Sequence, residues 1–333
     1  MSKLIIGIHG LANKPRKEDL AEYWKAAIAE GLRKNEDYDR DFDFDIVYWA
    51  DLLYKQPLHC DANFDFDDLF NDEPYYEADA SDLLPYRDGL LDELRAGSLD
   101  LVGMTIDGLK SKFGMDWLAD AFLSRFLKDL GFYYDERRTL ISRDGGGRAR
   151  ARAVLQEDLK TALATHRDRQ IMLIAHSMGT IIAYDVLRDV TRESEARHAG
   201  LSIDHFVTIG SPLGLPHVRA RIMDERNYEK KEKQSVKDVR TPTIVTGTWI
   251  NFADKKDPVS LDVHLNDDYH ENDSNVRVKD DLISNDYRKP DIRARNGATV
   301  VTRDPEGKAN HHKSYGYLRA PEVSRHIRRF LTI

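Results

Sequence analysis

The chain of 333 residues contains a single cysteine, Cys60. An internal disulfide is therefore impossible, and a lone thiol fits a reducing compartment. Basic excess is also missing. The 50 Lys and Arg are outnumbered by 58 Asp and Glu, for a formal net charge of −8. That balance argues against a nucleic-acid partner, because neutralising phosphates requires a basic face. No apolar run approaches the roughly 18 residues of a spanning helix. The opening MSKLIIGIHG is too short in its apolar part for a secretory leader and reads as a buried strand. A cytoplasmic protein without a membrane span is expected. Gly7-Ile8-His9-Gly10 lacks the further glycine of a dinucleotide loop. The acidic stretch from Asp61 begins like a calcium loop, but Phe66 stands where glycine is needed and Asp72 where glutamate is. No His-x-x-x-His pair or cysteine cluster offers a metal site. No cofactor and no metal are expected.

What is present is enough hydrophobic sequence for a core, 41% of the chain, arranged as alternating strands and helices. KLIIGI (3–8), the end of DFDFDIVYW (41–49), QIMLIA (170–175), HFVTIG (205–210), 243–252 and 278–284 read as strands, several of them continuous apolar runs of the buried parallel kind. Helical spacing appears after residue 20, from 148 to 166, after Ile181 and from Pro321 onward. Residues 219–240 are highly charged and read as solvated. The repeated strand–helix order predicts an α/β fold around a mostly parallel central sheet flanked by helices. The rhythm breaks between 52 and 147. That stretch reads as an insertion, a helical cap, leaving 1–51 and 148–333 as the core. Within it, Trp117, Leu118, Ala121, Phe122, Phe126, Leu127 and Leu130 keep helical spacing, with Gly131 as the expected stop.

The most informative stretch is LIAHSMGT (173–180). An apolar strand runs into a serine flanked at two residues' distance by Ala175 and Gly179. A tight strand-to-helix turn needs small residues at those two positions, and it pushes the apex side chain out of the sheet. The following helix aims its N-terminal dipole at the apex, favouring developing negative charge. Ser177 is thus a candidate nucleophile with an exposed hydroxyl. His9, His176 and Ser211 read as structural residues.

The pattern resembles the nucleophile elbow of the α/β-hydrolase superfamily, in its lipase-like branch, with Ala175 in the first glycine position. IGIHG (6–10) is similar to the family's oxyanion loop, and TIGSPLGLP (208–216) to the turn after the strand that follows the elbow. The family order of serine, acid, histidine then implies an acid in FADKKDPVS and a base in NHHKSYGYL. Asp-Pro-Val points to Asp257, with Asp254 the alternative. His-Lys-Ser-Tyr points to His312, with His311 the alternative. The resemblance implies a serine hydrolase that cleaves carboxylic esters through an acyl-enzyme. In that scheme Ser177 attacks, His312 carries the proton, Asp257 orients His312, and the amides of Leu11 and Met178 hold the oxyanion. Trp117, Phe122 and Phe126 would line the pocket for a small-molecule or lipid-like ester. A thioesterase or an amidase would use the same three residues, and a non-catalytic binding protein could share the scaffold.

Overall fold

The computed structural model describes residues 2–60, 64, 70–78, 85–86, 128–190, 198–229, 239–260, 262–288, 290–295, 298–303 and 309–333. Six strands form one wholly parallel sheet: β1 (Lys3–Ile8), β2 (Phe44–Val47), β3 (Gln170–His176), β4 (Ile203–Ile209), β5 (Val245–Ala253) and β6 (Val278–Leu282). Their order across the sheet is β2-β1-β3-β4-β5-β6. This is the α/β architecture with a mostly parallel central sheet that the alternating pattern predicts.

The period of two along each strand sorts side chains between two cores. Leu4, Ile6 and Ile8 of β1, with Ile171, Leu173 and Ala175 of β3, face one side, where they meet Leu155, Leu159, Ile181 and Leu187. Those partners lie on α2 (Ala151–Thr165) and α3 (Met178–Asp189). Ile5, Met172 and Ile174 face the other side and meet Leu20, Trp24 and Ile28 of α1 (Lys17–Glu36). The same core takes in Val323, Ile327 and Phe330 of the terminal helix α6 (Pro321–Thr332). Each fully buried Leu, Ile or Val contributes about 1.5–3 kcal/mol relative to exposure.

Several expectations are corrected. The charged stretch after residue 219 contains part of α4 (Pro216–Glu229), whose Val218 and Ile222 are buried. One apolar turn spaced i, i+4 seats a helix that net charge alone assigns to solvent. Helical structure continues past Gly131 to residue 134. A glycine costs a helix about 1 kcal/mol, but here Tyr133 and Tyr134 are buried beyond it. An antiparallel hairpin, Pro290–Arg295 with Ala298–Arg303, was not anticipated. Trp117, Phe122 and Phe126 lie outside the described residues, as do Asp61, Asn63 and Asp65. Among the described residues no helix is long and apolar enough to cross a membrane.

Register aligns the C-terminal ends of the central strands. Ile8 lies opposite Ala175, His176 opposite Ile209, Ile209 opposite Phe252, and Ala253 opposite Leu282. The sheet order also reverses here, since β1 is followed by β2 on one side and β3 on the other. The crevice between β1 and β3 is a topological switch point, where open α/β sheets bind ligands.

Candidate active site

Ser177 sits at that crevice, between the last residue of β3 and the first of α3. Its backbone has φ 54° and ψ −130°, a left-handed conformation costing of order 1–3 kcal/mol for a non-glycine residue. The turn is held by the Ser177 amide donating to the Ile209 carbonyl at 3.2 Å and by the Thr180 amide donating to the Ser177 carbonyl at 2.9 Å. Two glycines allow the close approach. A Cβ on Gly179 would lie 2.6 Å from the His9 carbonyl oxygen, and one on Gly10 would lie 2.6 Å from the Ser177 Cβ. The loop after β1 therefore runs directly against the serine.

The structure brings the three residues of the sequence pattern together. Ser177 Oγ lies 2.9 Å from His312 Nε2. His312 Nδ1 lies 2.9 Å from Asp257 Oδ2 and 3.0 Å from Oδ1. Asp257 follows β5, and His312 lies in the loop before α5 (Ser314–Leu318). With the proton on Nδ1, His312 donates to the carboxylate and accepts the serine hydroxyl proton on Nε2. The carboxylate is itself positioned: Val259 N–H donates to Oδ1 at 2.8 Å, and the Tyr317 hydroxyl donates to Oδ2 at 2.7 Å.

The alternative pair forms separately. His311 Nδ1 lies 3.3 Å from Asp254 Oδ2 and donates to the Asn285 carbonyl at 2.8 Å. Asp254 also accepts the Asn285 and Lys256 amides, at 2.7 and 2.8 Å. These bonds tie the acid loop to the histidine loop, and Ser177 is not among their partners.

The histidines read as structural are structural in geometry. His9 Nδ1 donates to the Gly10 carbonyl at 2.8 Å, and its Nε2 accepts the Trp49 amide at 3.1 Å. Burial and the Lys14 charge push its pKa down to about 3, which fixes it as neutral. Burial and then the His312 ring hold His176 well below the ordinary imidazole value. Neutral His176 donates from Nε2 to the His312 carbonyl at 2.8 Å, with ring centroids 4.6 Å apart. Ser211 donates to Thr180 Oγ1 at 3.0 Å, and Thr180 in turn donates to the Ser177 carbonyl at 2.7 Å.

Leu11 follows Gly10 in the loop against Ser177, and Met178 opens α3. Among the described residues neither amide donates a hydrogen bond to another group. For Met178 this is the ordinary state of a helix N-terminus, whose first amides have no intrahelical acceptor. Both can therefore receive an anion at the apex.

One expectation is overturned. The Ser177 hydroxyl does not stand in the open, because the residue is 0% exposed. The segment 70–78, which belongs to the stretch read as an insertion, lies against the neighbouring His312. Phe70 meets the His312 ring edge-on at 5.7 Å. Two buried lysines hold the segment down. Lys14 Nζ lies 2.8 Å from Asp72 and donates to the Phe70 carbonyl at 2.7 Å. Lys313 Nζ lies 3.1 Å from Asp72 and 2.6 Å from Glu73. Burial works against ionised Asp72, but the Lys14 and Lys313 charges outweigh it and hold its pKa below the usual carboxylate range. Sequence reading missed this clamp and Tyr317. Lys14 and Lys313 stand at opposite ends of the chain, and neither belongs to a periodic pattern. The only trace of Tyr317 was its place in the stretch that carries His312.

A cavity of about 430 Å³ is lined by Leu11, Trp49, Leu53, Phe132, Met178 and Ile182, among others. A larger one, about 1060 Å³, lies beside β2 and α2, where Arg143 binds Asp51 and Asp158. None of the three aligned residues lines either cavity, and what sets the smaller one apart is Leu11 and Met178 in its wall. Among the described residues no group of three or more His, Cys, Asp or Glu side chains could hold a metal ion. Comparison of the chain with protein-family models, curated proteins and solved structures found no match.

Proposed function

We propose that this chain is a serine hydrolase of the α/β-hydrolase kind, cleaving carboxylic esters in the cytoplasm. The observation that carries the reading is the unbroken line Ser177–His312–Asp257, with both links at 2.9 Å, at a switch point of a parallel sheet. A serine hydroxyl is a poor nucleophile at neutral pH, and the line supplies what it lacks. As Ser177 Oγ bonds to the ester carbonyl carbon, its proton passes to His312 Nε2. Asp257 then stabilises the imidazolium. The carbonyl oxygen, now an oxyanion, turns to the Leu11 and Met178 amides. Collapse expels the alkoxide, which takes the proton from His312 and leaves an acyl-serine. Water, deprotonated by the same histidine, reverses the steps and releases the acid. A thioester or an amide would follow the same path.

The burial of Ser177 favours a second reading, a non-catalytic binding protein on this scaffold. Against it stands the intact alignment, since a site released from catalysis has no need to keep His312 turned toward Ser177. Labelling with an alkyl fluorophosphonate decides. Strong labelling of the wild type, lost in Ser177→Ala, supports the hydrolase, whereas a well-folded wild type that stays unlabelled refutes it.

A further inference from the structure

Resting on the hydrolase reading, we propose that the 430 Å³ cavity holds the acyl arm of the ester, which makes Leu53 and Phe132 determinants of chain-length specificity. Three observations lead there. The cavity wall includes Leu11 and Met178, the two residues to whose amides the hydrolase reading assigns the oxyanion, so a carbonyl bound between them has this space beside it for its substituent. The opposite approach, over His312, is closed by Phe70 and the Lys14–Asp72–Lys313–Glu73 clamp. The mouth carries Leu53, which is 37% exposed and one of three large exposed hydrophobics among the described residues. An exposed leucine on the wall of a cavity that Leu11 and Met178 also line is a contact waiting for an apolar ligand.

Charge at the rim agrees with an uncharged arm. Asp135 is engaged by Arg137 and Arg138, at 3.1 and 3.6 Å, and the Arg138 guanidinium lies over the Phe132 ring. Asp135 and Arg138 answer each other, and the other two charged residues of the lining, Lys128 and Asp129, are opposite in sign. By volume the cavity equals about fourteen waters, which suits a saturated chain of medium length rather than an acetyl group alone. The lining proposed here differs from Trp117, Phe122 and Phe126 and includes Met178, the residue after the serine.

The test is kcat/KM across p-nitrophenyl esters from acetate to dodecanoate, for the wild type, Leu53→Glu and Phe132→Ala, with thermal melting to confirm that each variant folds. In the wild type kcat/KM should climb about fourfold for each added methylene until the cavity is full. Leu53→Glu should lower the octanoate-to-acetate ratio about tenfold or more. Phe132→Ala should move the optimum to a longer chain. A flat profile in wild type that a fluorophosphonate still labels overturns this inference and leaves the hydrolase reading standing. A rising profile untouched by both substitutions overturns the placement of the chain. Folded wild type that neither labels nor turns over any ester overturns both.

Discussion

Two Asp–His pairs stand side by side at the C-terminal edge of the sheet, built from residues three apart in one loop and adjacent in another. In Asp257–His312 both side chains are buried, and the imidazole's second nitrogen faces Ser177 at 2.9 Å. In Asp254–His311 the histidine side chain keeps 21% of its exposure, and Nδ1 is shared with the Asn285 carbonyl. The residue types are identical. What separates the pairs is whether an unstrained path leads from Nε2 to a nucleophile, and backbone placement decides that. The His312 loop is pulled against β3 by His176, while the His311 ring is turned toward the loop after β6.

The strongest way to break the comparison is to remove each pair's members in turn. Ser177→Ala and His312→Gln should each lower kcat on a p-nitrophenyl ester by up to about 10⁶-fold, and Asp257→Asn by about 10⁴-fold. Asp254→Asn and His311→Gln should leave turnover within roughly an order of magnitude of wild type, because neither touches a reacting atom. A loss in Asp254→Asn equal to that in Asp257→Asn would mean that the two carboxylates work as one unit.

Tyr317 sharpens the comparison because its hydroxyl serves both loops. It donates to Asp257 Oδ2 at 2.7 Å and accepts the Asp254 amide at 3.1 Å. Tyr317→Phe removes both bonds without opening a cavity. It leaves a buried amide unsatisfied, at a cost of about 1–3 kcal/mol of stability by urea unfolding. The kcat should fall about tenfold, a loss of about 1.4 kcal/mol, with KM unchanged, because Val259 N–H still holds the other carboxylate oxygen. Unchanged kcat would place Tyr317 in the fold alone.

Legibility in the sequence followed the range of the physics. KLIIGI, QIMLIA and HFVTIG were legible because burial on both faces of a parallel sheet writes a continuous apolar run. The elbow pattern was legible because a sharp turn demands small residues at fixed spacing, and the choice of Asp257 and His312 as partners of Ser177 came from the family resemblance that the elbow carries. Burial of Ser177 was not legible. The loop of Gly10 runs against the serine, and Phe70 is held on His312 by Lys14–Asp72 and Lys313–Glu73, contacts between residues far apart in sequence that leave no local pattern. The paired strands 290–295 and 298–303 were missed although they were legible: ATVVTR is rich in β-branched residues, and Asn296-Gly297 between the two runs is a two-residue turn signal. The separation of Asp257 from Asp254 rested on the likeness of Asp-Pro-Val to the family's acid loop, a thin signal for a difference the fold makes large.

The smallest effect distinguishes the pairs by charge. Burial disfavours protonated His311, but the Asp254 hydrogen bond and charge outweigh it, and the His311 pKa is raised above 6.5. A raised histidine pKa stabilises the fold fully below the unfolded value of about 6.5, and that stabilisation is lost as pH rises through the folded value. His311→Gln should therefore cost stability at pH 5.5 and almost none at pH 9, with a difference below about 1 kcal/mol for a partly exposed pair. The background slopes the other way. Burial holds His9 and His326 down to about 3, and holds His176 well below its ordinary value. The unfolded chain therefore binds protons below about pH 6.5 that the fold refuses, and wild type loses stability as pH falls. The measurement is consequently the wild-type minus variant difference in unfolding free energy from urea titrations at the two pH values. A difference that is equal at pH 5.5 and pH 9 would show that His311 acts through its bond to Asn285 and not through its charge.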